Sequence, residues 1–321
     1  MSIRLDHGLN PGVALGVLAA LAALPWLAQV IDQPFYIVLA TRILIFALVA
    51  SSLNLLVGFG GMVSFGHAAF FGGGAYVVGI LAQHGVTSAW ISWTAAMVFA
   101  AAAAWIIGAI SLRTRGVYFI MITLAFAQMM FYVFVSLKAY GGDEGLPIAM
   151  RSSVGLGMSL KSDMIFYYLV LCLVAAGFYF LARLINARFG HVLQGIRENE
   201  TRMEAMGYPV FRYKLAAFVI AGALAGLGGA LLANQNLLAS PNLLQWTQSG
   251  MLLIMVILGG VGFLYGGAIG AAVMLLLEEV LSSYTIYWQL GVGVVLLLVV
   301  LFAPRGLAGL FRGKAEGNGP C

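Results

Sequence analysis

Charged side chains are scarce in this sequence: Asp, Glu, Lys and Arg together make up 8% of 321 residues, against 62% hydrophobic. A soluble domain carries about a quarter charged residues, and a single soluble core of this length has no room for so much Leu, Val, Ala and Phe. The chain therefore reads as a membrane protein, with lipid as the solvent for most of its surface. Cysteine is nearly absent. Cys172 and Cys321 are the two present, which excludes a disulfide framework and a cysteine-built metal cluster. No G-x-x-x-x-G-K-[ST] stretch occurs, so the chain lacks the backbone cradle and Lys that hold a nucleotide's phosphates. H-E-x-x-H, G-x-S-x-G and close His/Cys clusters are missing as well, which removes the usual hydrolytic and metal-dependent centres. The charged groups well inside apolar runs are Arg42 and the neighbours Glu278 and Glu279, the two acids placed toward the outer end of a span. The want of a mid-depth acid argues against an ion-coupled carrier, although sodium sites built from carbonyls and hydroxyls stay open.

What the sequence has in abundance is apolar runs long enough to cross about 30 Å of hydrocarbon. They lie at about 12–31, 36–57, 66–83, 89–111, 117–137, 164–186, 214–236, 245–263, 266–281 and 286–303. The expected fold is an all-α polytopic integral membrane protein of about ten spanning or half-spanning helices, one transmembrane domain over 1–321. Placing residues 183–214 in the cytoplasm gathers most Lys and Arg there, with Arg4, Arg113, Arg115, Arg305, Arg312 and Lys314, and leaves Lys138, Arg151 and Lys161 outside. That arrangement satisfies the positive-inside rule and puts both termini, with the tail 304–321, in the cytoplasm. It also accounts for the net charge of +5 without any nucleic acid. The first run continues to Ile31 and is followed by Pro34 and another span, so a retained helix is expected rather than a cleaved leader.

Glycine is plentiful, at 41 residues, and concentrates in GFGGMVSFGHAAFFGGGAY from Gly58 to Tyr76 and GGVGFLYGGAIGA from Gly259 to Ala271. Each stretch has two readings. A helix broken in the bilayer leaves backbone groups that only protein or water can satisfy, so such breaks border a cavity or buried interface. Alternatively, small residues simply let helices cross closely, and the spacing of Gly262, Gly266 and Gly270 favours this for the second stretch. The first adds Ser64 and His67, polar groups costly against lipid. With Thr123 and Gln128, also polar within apolar spans, they are candidate translocation-pathway residues. The alternative for all of them is a structural hydrogen bond. The longest outer loop, about 138–163, reads as a connector or as a docking edge.

Residues 183–214 hold a third of all the charged side chains. Phe189, Val192, Leu193, Ile196, Met203 and Met206 recur near helical spacing, while Arg197, Glu198, Glu200, Arg202 and Glu204 occupy other faces. Gly207 and Pro209 supply a stop. One amphipathic helix over about 188–206 is expected. Its mixed charge suits a groove in a partner protein better than an anionic lipid surface.

Three separated segments carry a resemblance: RFGHVLQGIRENETRMEAMGYPVFRYKLAAFVIAGALAGLGGALLA, LNLLVGFGGMVSFGHAAFFGGGAYV and the tail PRGLAGLF. In that order, over about residues 36–311, the chain resembles the LivM-type permeases of branched-chain amino acid ABC importers. The resemblance implies a bacterial inner-membrane subunit paired with a LivH-like second permease, two cytoplasmic ABC ATPases and a periplasmic solute-binding protein. ATP and Mg would be bound by the ATPases, with no cofactor, metal or catalytic residue in this chain. The charged segment would be the coupling element seated in the ATPase, through Arg188, Phe189, Val192, Gly195, Ile196, Arg197, Glu198, Glu200, Glu204 and Gly207. In the wider importer pattern Glu-Ala-Ala is followed by Gly after three more residues, whereas this chain reads Glu204, Ala205, Met206, Gly207. That departure puts individual ATPase contacts in doubt. Branched-chain amino acids are the implied solute, with urea or short amides as the alternative. A self-sufficient carrier or channel would not need the charged segment, and a membrane-embedded enzyme predicts a cluster of catalytic groups at one depth, which the sequence does not show.

Overall fold

A computed structural model describes residues 11–30, 33–155, 160, 162–303 and 306–311. Each apolar run becomes a helix: α1 Pro11–Val30, α2 Phe35–Asn54, α3 His67–Gln83, α4 Ala89–Ser111, α5 Val117–Ser136 and α6 Asp163–Asn186. The charged segment forms α7 Arg188–Glu198 and α8 Glu200–Ala205, after which come α9 Val210–Asn236, α10 Trp246–Gly259, α11 Gly266–Tyr284, α12 Trp288–Phe302 and α13 Gly306–Phe311. Among the described residues, six helices are long and apolar enough to cross a membrane. With 14 residues, α10 rises only about 21 Å, short of a full span. Arg4, Lys161, Arg305, Arg312, Lys314, Cys321 and most of the tail lie outside the described residues.

Small residues set the packing. Lipid gives apolar side chains no reason to leave it, so helices associate where backbones approach closely. On α9, Gly222 and Gly226 face Ala104 and Ala100 of α4, and Gly226 also meets Gly74 of α3. Phe218, one turn earlier, is wedged between Phe70 and Phe119 with ring centroids 5.5 and 6.1 Å away. The second glycine-rich stretch follows its close-crossing reading. A Cβ on Gly270 would lie 2.7 Å from the Met255 carbonyl carbon and 2.8 Å from the Gly259 nitrogen, so α10 and α11 touch backbone to backbone. Gly262 falls instead in the intervening turn, at φ 85°. The spans differ in how far the chain covers them: 78% of the α2 window is buried, against 22% for α5.

The loop over residues 138–163 is tied to the helix bundle at several points. Arg151 bonds Asp163 at 2.6 Å, donates to the Asn234 and Leu160 carbonyls, and lies over the Phe166 ring. Strand β1, Leu146–Pro147, pairs antiparallel with β2, Leu238–Ala239, and Ser153 bonds the Thr87 carbonyl. After α9 the chain turns at Leu237, whose φ of 54° is uncommon without glycine. It then makes a 3-10 turn at Pro241–Leu244 before α10 begins.

Candidate functional site

The charged segment is two helices, not the single helix its periodicity implies. Asn199 interrupts it in an extended conformation and caps α8, its side-chain oxygen accepting from the Arg202 amide at 2.9 Å. Asn stabilises this by offering the backbone an acceptor that a continuing helix lacks. The apolar positions also point the other way. Val192, Ile196 and Met203 pack with Val210 in a small buried cluster inside this chain, and Leu193 joins the main core. Phe189 stacks on Tyr213 at 5.6 Å. A Cβ on Gly195 would lie 2.9 Å from the Met203 sulfur. The expected knobs Phe189, Val192 and Ile196 therefore pack on this chain's own α9 while Gly195 faces Met203 within the segment, and bulky charges at Gly195 or Ile196 would break that packing first. Arg188, Glu198, Arg202, Glu204 and Gly207 remain exposed, with Met206 at 57%. Gly207 sits at φ 84°, a conformation that suits glycine as the stop.

Two groups hold this segment to the membrane helices. Glu200 pairs with Lys214 of α9 at 2.7 Å, both side chains largely shielded, and more weakly with the exposed Arg115 at 3.5 Å. Arg197 reaches the other way and donates from Nη1 to the Gly58 carbonyl. Its stem lies across Gly61, where a Cβ would come within 3.0 Å of Arg197 Cγ, and its guanidinium lies beside Gly262. Asn54 completes the junction by donating to the Phe263 carbonyl at 2.6 Å and accepting from the Gly262 amide at 3.1 Å. Both glycine-rich stretches thus meet at one arginine from the charged segment. A Cβ on Gly58 would lie 2.5 Å from the Gly262 nitrogen, so only glycine admits this contact. Asn54, Arg115 and Lys214 were not singled out from sequence; Asn54, a lone amide in an apolar run just before the glycines, is the one with a readable signal.

The first glycine-rich stretch is a true helix break. The end of α2 widens into a π-type turn over Leu55–Phe59, and residues 60–66 run without helix before α3 starts at His67. The expected pathway residues hold this break. Ser64 Oγ accepts from the Gly66 amide at 3.1 Å. Thr123 Oγ1 accepts from the Phe65 amide at 3.2 Å and donates to the Ile120 carbonyl at 2.9 Å. His67 Nε2 bonds Ser52 Oγ at 2.9 Å, and Ser52 in turn donates to the Val49 carbonyl. That assignment makes Nε2 the protonated nitrogen of the ring. Ser64, His67 and Thr123 are fully buried, so they line no open surface of this chain. Gln128 differs: it is half-buried, and its carbonyl oxygen has no hydrogen-bond partner among the described residues.

Residues 35–303 match the protein family described as branched-chain amino acid transport system / permease component. The chain is 29% identical over 297 residues to the high-affinity branched-chain amino acid transport system permease protein LivM of Escherichia coli (strain K12), covering 85% of this chain and 70% of that protein. Salmonella typhimurium LivM is 28% identical over 310 residues, 87% of this chain and 73% of that protein. The Escherichia coli (strain K12) permease protein LivH is 25% identical over 286 residues, 82% of this chain and 91% of that protein. No solved structure matches. The matched span takes in α2 to α12, with the helix break, the arginine junction and the close α10–α11 crossing, and the chain belongs to this family of multi-pass membrane permease components.

Proposed function

We propose that this chain is the LivM-type permease subunit of an ABC importer, moving branched-chain amino acids across a bacterial inner membrane by ATP-driven alternating access. It works beside a LivH-like second permease, two cytoplasmic ABC ATPases and a periplasmic solute-binding protein. The observation that carries the reading is the junction of Arg197 with Gly58, Gly61 and Gly262, which joins an exposed, charged pair of short helices to the glycine-rich ends of α2 and α10. The named relatives supply the class of solute.

In this reading the ATPase grips the exposed side chains of α7 and α8, Arg188, Glu198 and Glu204 among them. When the ATPases close on ATP, that grip moves α7, and Arg197 passes the movement to the helix ends it holds. The chain itself does no chemistry: ATP and Mg belong to the ATPases, and the permease domain, 1–321, contributes only shape and motion. Both termini lie in the cytoplasm, as the basic residues require.

Affinity purification in mild detergent tests the assembly, since the tagged chain should bring down a second permease and an ATPase. Uptake of radiolabelled leucine and urea by cells lacking the subunit tests the solute. Loss of leucine uptake with urea unaffected is expected. Recovery of the chain alone, or leucine uptake that survives its deletion, would overturn the reading.

A further inference from the structure

The turn between α9 and α10 dives into the protein and carries polar side chains with it. Its depth follows from its neighbours. At the outer end, Ala239 and Leu146 flank Gly79 of α3; a few residues later, a Cβ on Gly72 would lie 2.8 Å from the Leu244 nitrogen. Seven residues of helix separate those two glycines, so the chain descends about 10 Å between Ala239 and Leu244. It keeps descending, because Ser249 Oγ accepts from the Ala68 amide near the start of α3 at 2.8 Å. Leu244 therefore lies about 16 Å below the outer end of α3, near the middle of the bundle.

Leu244 is buried, but Asn242 and Thr247 on either side of it are exposed and Gln245 is partly so. Gln245 Nε2 donates to Asn242 Oδ1 at 3.2 Å, and Thr247 Oγ1 lies 3.4 Å from Gln245 Oε1, which leaves further polar capacity facing outward. Gln128 shares this level from α5. Thr123 touches Gly66, and five residues of α5 and six of α3 raise Gln128 and Gly72 by nearly the same height above that contact. Its carbonyl oxygen is one of several buried polar atoms with no partner among the described residues, and the one that lies on α5. Uncharged amides and a hydroxyl at mid-depth are poorly placed against hydrocarbon.

We infer that the solute path runs along this re-entrant turn, with Gln128, Asn242, Gln245 and Thr247 as its polar wall and the second permease subunit as its other side. The inference rests on the importer reading and replaces Ser64, His67 and Thr123 as lining residues. The wall offers hydrogen bonds without a fixed charge. It suits a small zwitterionic or amide-bearing solute held weakly and passed on, rather than an ion held tightly.

The test is cysteine accessibility in the assembled importer, in membranes, with Cys172→Ser and Cys321→Ser as background. Asn242→Cys and Thr247→Cys are exposed to a charged, membrane-impermeant methanethiosulfonate. Lys138→Cys on the outer loop serves as the accessible reference and Met129→Cys, on the exposed apolar face of α5, as the lipid-facing one. Both wall positions should react like Lys138→Cys, Met129→Cys should not, and modification at Thr247→Cys should abolish leucine uptake. An assembled, transporting complex in which neither wall position reacts, or in which both react with no loss of uptake, would overturn the path while leaving the importer reading intact. A chain that brings down no ATPase would overturn both.

Discussion

Replacing Arg197 with Ala tests the junction most directly. The guanidinium donates to the Gly58 carbonyl and covers Gly61 and Gly262, so the substitution removes one charge-assisted hydrogen bond and the surface that keeps both glycines in register. A hydrogen bond to a charged group contributes about 1.5–3 kcal/mol. If about 2 kcal/mol of that is felt only when α7 and the helix ends move together, the coupling constant falls about thirtyfold. The assay is ATP hydrolysis by the reconstituted importer with and without solute-loaded binding protein. R197A should assemble with its partners and lose most of the solute-stimulated rate. Arg197→Lys should lie between, because an ammonium can reach one carbonyl but lacks the planar fork. Gly61→Ala should give the same defect from the opposite side, since its φ of 67° disfavours any other residue and its Cβ would press on Arg197 Cγ. Wild-type stimulation in both R197A and G61A would refute the role assigned to the junction.

Three further outcomes are expected. Asn54→Ala removes both bonds to the α10–α11 turn and should lower stability by about 2–3 kcal/mol, read as a drop in the thermal unfolding midpoint of the detergent-purified complex; no drop would mean the turn is held by the glycine contacts alone. Gly270→Ala forces a methyl onto the α10 backbone and should cost about 3 kcal/mol, with Gly293→Ala, where a Cβ meets nothing within 4 Å, as the unaffected comparison. Arg151→Ala should open the loop over residues 138–163 to added protease in the detergent-purified protein at a cost of about 2 kcal/mol, most of it from the two carbonyl bonds, since Asp163 is 42% exposed and its ion pair is screened.

Hydropathy made the helices legible because a bilayer imposes one length on everything that crosses it. The ten apolar runs and the helices they form agree in their boundaries to within a few residues, and six of those helices are long and apolar enough to span among the described residues. Depth and direction were harder to read. The stretch around Pro241 is polar, and a hydropathy window cannot distinguish polar residues outside the membrane from polar residues carried down inside the protein. The charged segment is legible as a unit, but its spacing alone points the apolar face at a partner. Helical spacing says that Val192, Ile196 and Met203 share a face, without saying that Val210 and Tyr213 wait on the same chain to cover it. His67, Ser64 and Thr123 were visible as polar groups among glycines. Their bonds to Ser52, Gly66 and Phe65 depend on a break whose geometry no spacing encodes.

The interruption at Asn199 has a mechanical consequence. Ahead of it, Arg197 ties α7 to the ends of α2 and α10; behind it, Glu200 ties α8 to α9 through Lys214. Phe189, Val192 and Ile196 of α7 and Met203 of α8 also share an apolar contact with Tyr213 and Val210 of α9, so both short helices are anchored to α9 and α7 reaches the end of α2 as well. A load on this pair of helices is therefore delivered across the contact between α2 and α9, two strongly covered helices of the protein.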